Sequence, residues 1–207
     1  MSFVIGICGG SCSGKSAMAG KISKMLNVSS VCISQDAYYC DLKGLTPEEK
    51  ANVNYDSPSA LDNELFFEHL KMLKEGKAID RPDYSYITST RTGATRVEPA
   101  EFIFVDGLFL YNFENHRDVF DKKIFISADE KTRIQRMLAR DVLERGRTEQ
   151  MVMNHYFRDV KPAHDTIIEG EKEFADFVIN GNSGMDMVAN TAAIVLEIDK
   201  IQATIKQ

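Results

Sequence analysis

A chain of 207 residues with 43% hydrophobic and 27% charged side chains has the size and balance of one globular domain. Its formal net charge of -6 argues against a general affinity for nucleic acid or anionic membranes, so any phosphate site must be a local basic patch. The four cysteines lie in the first fifth of the chain without a CxxC pair, which favours reduced thiols and a cytoplasmic location. No apolar run approaches the roughly 20 residues of a membrane span.

The first half of the chain predicts two strands and three helices. In chain order they are a strand over Phe3–Cys8, a helix over Lys15–Leu26, a strand over Val28–Ser34, a short helix beginning at Thr46 and a helix over Asn63–Lys74. The first strand is a nearly continuous apolar run ending in Gly-Gly, which is typical of a central parallel strand and not of a signal peptide. A capping-box pattern with Pro47 at the first helical position marks the short helix.

The second half begins with a segment, Ile79–Arg96, that is rich in Tyr, Thr, Ser and Arg and predicts two short antiparallel strands. We interpret residues 79–97 as a β-hairpin substrate subdomain. Next come strands over Glu101–Asp106 and Lys123–Ser127, helices over Asp129–Glu144 and Glu149–Ile168, a strand over Phe177–Asn180 and a helix over Met187–Ile205. Pro162 is expected to kink or interrupt the second of these helices. The alternation predicts one α/β domain over residues 1–207, with a five-stranded parallel sheet flanked by helices.

Residues 9–16, Gly-Gly-Ser-Cys-Ser-Gly-Lys-Ser, match the phosphate-binding pattern G-x-x-x-x-G-K-[ST] in full. Glycines let the backbone curl so that N–H groups point at phosphate oxygens, and the following helix adds its positive N-terminus. We expect Lys15 to reach the β- and γ-phosphates of ATP and the Ser16 hydroxyl to bind Mg²⁺. Cys12 is interpreted as a small residue that tolerates the tight curl rather than as a redox-sensitive thiol. The predicted ATP-binding residues are Gly9, Gly10, Ser11, Cys12, Ser13, Gly14, Lys15, Ser16, Ala17, Arg145 and Arg147.

Two aspartates follow predicted strands, where ligands of open α/β sheets bind. Asp36 lies just beyond the second strand and suits the carboxylate with which a kinase accepts the substrate proton. Asp106 ends the strand that precedes Gly107 and suits a role in holding Mg²⁺, directly or through water. Plain turn or cap aspartates are the alternatives. The chain lacks the N-K-x-D tetrapeptide of GTPases and is too short for a motor, which favours a kinase.

Arginines are concentrated in one short window, at Arg133, Arg136, Arg140, Arg145 and Arg147. The first three share a helical face, and arginine neutralises charge on a transferring phosphoryl group. Gly146 breaks the helix, so residues 133–150 are predicted to form a lid that closes and excludes water. A solvated basic face is the alternative.

From Phe3 to about Ile201 the chain resembles the uridine (uridine–cytidine) kinase family, which is related to phosphoribulokinase. The motifs that carry the resemblance are residues 9–16, Gln35-Asp36 with Tyr38-Tyr39, residues 54–58, Tyr84-Ser85-Tyr86 with Thr90-Arg91, Asp106-Gly107-Leu108, Arg140-Asp141 with residues 144–147, and Phe174-Ala175-Asp176. The resemblance implies ATP- and Mg²⁺-dependent phosphorylation of the 5′-hydroxyl of uridine or cytidine, in pyrimidine salvage. Because the family often forms tetramers, a homo-oligomer, a dimer or tetramer, is also expected, while the negative net charge predicts no nucleic-acid or membrane partner.

The resemblance also implies roles for single residues. Asp36 would be the base, Lys15 and Arg140 would assist catalysis, and Arg145 and Arg147 would clamp phosphate with Arg140. The implied metal ligands are Ser16 and Asp106, the latter standing where the family usually has glutamate. The implied acceptor-binding residues are Asp36, Tyr39, Tyr55, Asp56, Tyr84, Tyr86, Ser89, Arg91, Met137 and His155. Among them, the tyrosines would wall the nucleoside pocket and Asp56 would hold ribose hydroxyls.

Three residues depart from the family pattern, all on the acceptor side. Ser89 stands where a histidine usually faces the pyrimidine, Met137 replaces the second arginine of an Arg-Arg pair, and His155 replaces a glutamine. One hypothesis is that phosphoryl transfer is retained and acceptor choice has changed, because lost hydrogen-bonding groups alter discrimination strongly. Harmless drift is the other. A kinase for another riboside or a sugar, and a non-catalytic ATP-binding regulator, therefore stay open.

Overall fold

The computed structural model, which describes residues 1–25, 28–183, 193–195, 197–198 and 200, is built on a parallel β-sheet. The strands are β1 (Phe3–Gly9), β2 (Ser30–Ser34), β3 (Ile79–Ser85), β4 (Thr90–Val97), β5 (Phe102–Gly107), β6 (Lys122–Ser127) and β7 (Phe177–Asn180). Five of them form the sheet in the order β2–β5–β1–β6–β7, and every pairing in it is parallel. Strands β3 and β4 form a separate antiparallel hairpin. Both the parallel sheet and the hairpin were expected from the sequence, and both are confirmed.

The α-helices each begin at or next to the residue that the local signals predict. They are α1 (Lys15–Met25), α2 (Pro47–Ala51), α3 (Asn63–Lys74), α4 (Glu130–Arg145) and α5 (Glu149–His155). The predicted capping box is present at α2, where Thr46 Oγ1 accepts from the Glu49 N–H and Glu49 Oε2 accepts from the Thr46 N–H. Gly146 ends α4 in the left-handed region, at φ 64°. Short 3-10 helices cover Gln35–Tyr38, Pro58–Ala60, Glu114–Val119 and Glu169–Phe174.

The helical segment after α5 differs from the prediction in its form. Instead of one α-helix with a kink, two π-helical turns, Tyr156–Val160 and His164–Ile168, flank a single α-helical turn at Lys161–Ala163. Proline has no N–H to donate and its ring crowds the preceding turn, which is a physical reason for a widened helix around Pro162. The interruption was foreseen from Pro162, but its π-helical geometry was not.

The hydrophobic core lies in two layers, one on each face of the sheet. Because successive side chains of a strand point to opposite faces, β1 sends Val4 and Cys8 into one layer and Ile5 and Ile7 into the other. The first layer packs against α3, and the second packs against α1 and the helical residues 193–195 and 197–198. This three-layer arrangement is the predicted fold class. The rest of the predicted helix over Met187–Ile205, and Leu26, lie outside the described residues.

The fold gathers loops from several elements at the carboxyl edge of the sheet. The loop after β1, the 3-10 helix after β2 and the segment after β5 all leave the sheet there. The β3–β4 hairpin packs against that 3-10 helix through β3. No helix within the described residues is both long and apolar enough to cross a bilayer.

Candidate active site

The phosphate-binding loop joins β1 to α1, and its backbone requires glycine at two positions. Gly9 and Gly14 have φ of 144° and 113°, values that L side chains rarely adopt, and a Cβ on Gly9 would collide with the Ile126 carbonyl. Lys15 Nζ donates to the Gly10 carbonyl at 2.9 Å, so the lysine folds back over the loop. Cys12 lies at φ 60° and is half-buried, so the loop tolerates a side chain there in a left-handed conformation. The backbone of the loop is suited to bind an anion, and the Lys15 ammonium group lies beside it.

Two hydroxyls and one carboxylate meet beside this loop. Ser16 Oγ donates to Asp106 Oδ2 at 2.8 Å, and Ser34 Oγ reaches the same oxygen at 3.3 Å. Strand register brings the latter pair together, because Ser34 of β2 lies opposite Asp106 of β5. Burial and the nearby Asp36 carboxylate raise the pKa of Asp106, and the Ser16 hydrogen bond opposes the rise. This hard-oxygen set fits Mg²⁺, which binds through one or two carboxylates together with substrate phosphates. Among the described residues, no group of three or more His, Cys, Asp or Glu side chains could hold a metal ion.

Asp36 lies in the first turn of the 3-10 helix that follows β2. The preceding residue, Gln35, is fully buried and fixes this turn to the sheet, since its Oε1 accepts from the Phe109 N–H at 3.1 Å. Tyr86 donates its hydroxyl to Asp36 Oδ2 at 3.3 Å. Asp36 faces a cavity of about 330 Å³ that also contains Lys15 and Ser16, so a carboxylate and the phosphate loop share one enclosure.

Aromatic rings form one wall of that cavity. The ring centroid of Tyr39 lies 6.0 Å from that of Tyr55 and 5.3 Å from that of Tyr84. The ring centroids of Tyr84 and Tyr86 lie 5.6 Å apart. Burial, together with the Asp36 and Asp56 carboxylates, raises the pKa of Tyr39. Burial also raises the pKa of Tyr84 to about 12. These phenols therefore stay neutral at physiological pH and present ring faces and hydroxyl groups to a ligand.

The three residues that depart from the family pattern all line the same cavity. Ser89 lies in the hairpin turn at φ 54°, and its Oγ accepts from the Tyr55 hydroxyl at 3.0 Å. His155 Nε2 lies 3.0 Å from Asp56 Oδ2, although neither ring nitrogen has the geometry of a hydrogen bond. Met137 is 1% exposed and packs in an apolar cluster with Val152, Tyr156 and Val160.

The arginines at the end of α4 converge on one buried carboxylate that sequence reasoning did not assign. Asp141 is fully buried, and its oxygens lie 2.7 Å from Arg140 Nε, 3.5 Å from Arg145 Nη1 and 3.2 Å from Arg147 Nη1. All three arginines line the cavity. The pKa of Arg140 is raised: burial works against its charge, but Cys12 and Asp141 outweigh it. The only sequence signal for Asp141 was its position directly after Arg140.

Two other arginines, Arg91 and Arg136, are hydrogen-bonded to backbone carbonyls near the site. Arg91 does not line the cavity, because its guanidinium donates to the Tyr38 and Tyr39 carbonyls and to Asp62 Oδ2. Arg91 thus braces the hairpin against the 3-10 helix after β2, and its acceptor-binding role stays a prediction. Arg136 donates from Nη1 to the Cys12 and Ser13 carbonyls, so it braces the phosphate loop. Every other acceptor-side residue that was predicted lines the cavity.

Some residues of the phosphate loop line the cavity, and others do not. The side of the loop that faces the cavity comprises Ser11, Cys12, Gly14, Lys15, Ser16 and Ala17. Gly9, Gly10 and Ser13 lie behind it, where Ser13 donates its N–H to the Gly10 carbonyl at 3.1 Å and closes the turn.

Comparison with known proteins gives consistent relatives. The sequence model of the phosphoribulokinase/uridine kinase family matches residues 4–187. A uridine kinase from Staphylococcus aureus (strain JH9) is 42% identical over 207 residues, which is 99% of this chain and 97% of that protein.

Solved structures share the fold at low sequence identity. A possible uridine kinase from Bacillus stearothermophilus has a TM-score of 0.59 at 20% identity, covering 86% of this chain and 88% of that one. Phosphoribulokinase from Rhodobacter spheroides has a TM-score of 0.66 at 17% identity, covering 86% of this chain and 70% of that one. These likenesses concern the fold alone.

Proposed function

Because the chain belongs to the phosphoribulokinase/uridine kinase family, we propose that it transfers the γ-phosphoryl group of ATP to the 5′-hydroxyl of uridine or cytidine. The observation that carries the proposal is a single cavity in which the phosphate loop, the Asp36 carboxylate and a wall of tyrosines face one another. Phosphoryl transfer needs this juxtaposition, because its catalysis is mostly positioning and charge stabilisation.

The reaction follows from the residues around the cavity. Asp36 accepts the proton of the acceptor hydroxyl as its oxygen forms a bond to the γ-phosphorus, while the bond to the β-phosphate bridging oxygen breaks and ADP leaves. Lys15 and Arg140 stabilise the negative charge on the transferring group. Mg²⁺, held by Ser16 and Asp106, would neutralise charge on the β- and γ-phosphates.

On the acceptor side, the tyrosine rings offer flat apolar faces to a pyrimidine, and the buried Asp56 carboxylate offers acceptors to ribose hydroxyls. The related protein from Staphylococcus aureus is a uridine kinase, which makes uridine the first acceptor to test. Free thiols at all four cysteines agree with action in a reducing cytoplasm, and a homo-oligomer is proposed from the family resemblance alone.

A second candidate is the same reaction on another riboside or a sugar. The observation in its favour concerns Arg91 and Arg136, which stand outside the arginine cluster around Asp141. Arg91 and Arg136 are both bound to backbone carbonyls, and Met137 is apolar. Asp56, His155 and the hydroxyl groups of the cavity can bind an uncharged acceptor through its own hydroxyl groups, and a riboside or a sugar has such groups.

Release of ADP from ATP and Mg²⁺, measured against a panel of nucleosides, ribosides and sugars, tests both candidates. We expect uridine or cytidine to be phosphorylated, and Asp36→Asn to lower kcat by about 10²- to 10⁴-fold without weakening ATP binding. Asp118→Asn removes an exposed carboxylate outside the cavity and is the matched control. Turnover of another panel member alone would select the second candidate, and full activity of Asp36→Asn would refute the assigned base.

A further inference from the structure

Tyr86 has contacts on both sides of the cavity. It is the first residue of the turn between β3 and β4. Its hydroxyl donates to Asp36 Oδ2 at 3.3 Å, and the guanidinium carbon of Arg145 lies 4.5 Å from its ring centroid. One side chain of the acceptor hairpin therefore contacts the carboxylate assigned as the base and an arginine at the end of α4.

Within the part of the chain that the structure describes, Arg145 contacts the Tyr86 ring and one carboxylate. The carboxylate is Asp141, whose Oδ1 lies 3.5 Å from Arg145 Nη1. This distance is longer than those from Asp141 to Arg140 and to Arg147. A guanidinium within about 6 Å of an aromatic centroid is attracted by the electron-rich ring face. Since the Arg145 side chain is 24% exposed, solvent screens this attraction only in part.

The hydroxyl of Tyr86 is available as a donor at every physiological pH. Tyr86 is 46% exposed. Its partial burial and the Asp36 carboxylate raise its pKa, and the nearby Arg145 and Arg140 guanidinia oppose that rise. A neutral phenol keeps its proton, so Tyr86 can donate to Asp36.

We propose that Tyr86 is a positioning residue through which the acceptor hairpin supports the ATP site, its ring holding Arg145 and its hydroxyl holding Asp36. The proposal rests on the phosphoryl-transfer site proposed above, but it goes beyond the walling role that resemblance implies for this tyrosine. It divides the side chain into two separable halves. The ring should govern ATP affinity, and the hydroxyl should govern turnover.

Calorimetric titration with Mg²⁺ and a non-hydrolysable ATP analogue tests the ring without any acceptor present. Tyr86→Leu is expected to weaken analogue binding about threefold to tenfold, whereas Tyr86→Phe keeps the ring face and should bind like the wild type. In an Arg145→Met background, Tyr86→Leu should cause no further loss, because the ring then has no guanidinium to hold. Ile87→Ala, at a position 90% exposed in the same turn, controls for changes in the hairpin itself.

Turnover of uridine tests the hydroxyl. Tyr86→Phe is expected to lower kcat about twofold to tenfold at unchanged analogue affinity, a separation that a merely structural role would not produce. Wild-type analogue binding by Tyr86→Leu, or an equal loss with and without Arg145, would overturn the proposal. If no pyrimidine nucleoside is phosphorylated, the proposed function fails, while the analogue titrations still decide the role of Tyr86.

Discussion

Glu171 gives the most quantitative prediction, because the pKa of its buried carboxylate is shifted far above its ordinary value. It is 2% exposed, and its Oε2 accepts from the Cys8 thiol at 2.9 Å and from the Tyr111 N–H at 2.8 Å. Cys8 immediately precedes Gly9 of the loop. Burial raises the pKa of Glu171 to about 7, although the hydrogen bonds from Cys8 and Tyr111 oppose the rise.

The sign of the effect follows from proton linkage. Between about pH 4.5 and about pH 7, the folded chain holds a proton on Glu171 that the unfolded chain has lost. The free energy of unfolding therefore decreases as pH rises through this window, and it levels off on both sides. A pKa difference of about 2.5 corresponds to about 3 kcal/mol, since one unit is worth 1.36 kcal/mol.

The test replaces the titrating group with a neutral isostere. Glu171→Gln keeps an oxygen that can accept from the Tyr111 N–H, so this contact can be preserved. Urea denaturation followed by circular dichroism should show the variant gaining about 2 to 3 kcal/mol relative to the wild type between about pH 5 and about pH 8. Glu173→Gln removes an exposed carboxylate two residues away and should change little over that range. A stability difference between Glu171→Gln and wild type that stays constant with pH would refute the reasoning.

Two further predictions concern the charged groups of the site. Asp141→Asn removes the carboxylate that Arg140, Arg145 and Arg147 share, and it should weaken binding of a non-hydrolysable ATP analogue about tenfold, measured by calorimetry. Tighter binding would instead show that Asp141 holds the arginines away from the nucleotide. Asp106→Asn removes the buried carboxylate beside Ser16 and should raise the Mg²⁺ concentration for half-maximal activity about tenfold to a hundredfold. An unchanged Mg²⁺ titration would contradict the metal role.

The sequence alone predicted those parts of the protein whose signals are local. The phosphate loop is a run of neighbouring residues whose glycine positions and following helix are dictated by backbone conformation. The alternation of strands and helices along the chain predicted the parallel sheet, because βαβ crossovers leave few alternative topologies. From the sheet, the positions of Asp36 and Asp106 at strand ends placed both carboxylates at the same edge. Each step needs only short-range pattern and a topological rule.

Tertiary structure alone decided which partner each charged side chain takes. Arg136 reaches the carbonyls of Cys12 and Ser13 from 124 and 123 residues away, and Glu171 meets Cys8 across 163 residues. A long side chain on a helix can point to several neighbours, and its choice depends on which elements pack beside that helix. For this reason the sequence did not predict that Arg91 braces the hairpin, and Asp141, beside a recognised arginine, went unassigned. Spacing along the chain fixes the face of an element, whereas only the packed fold fixes what lies opposite that face.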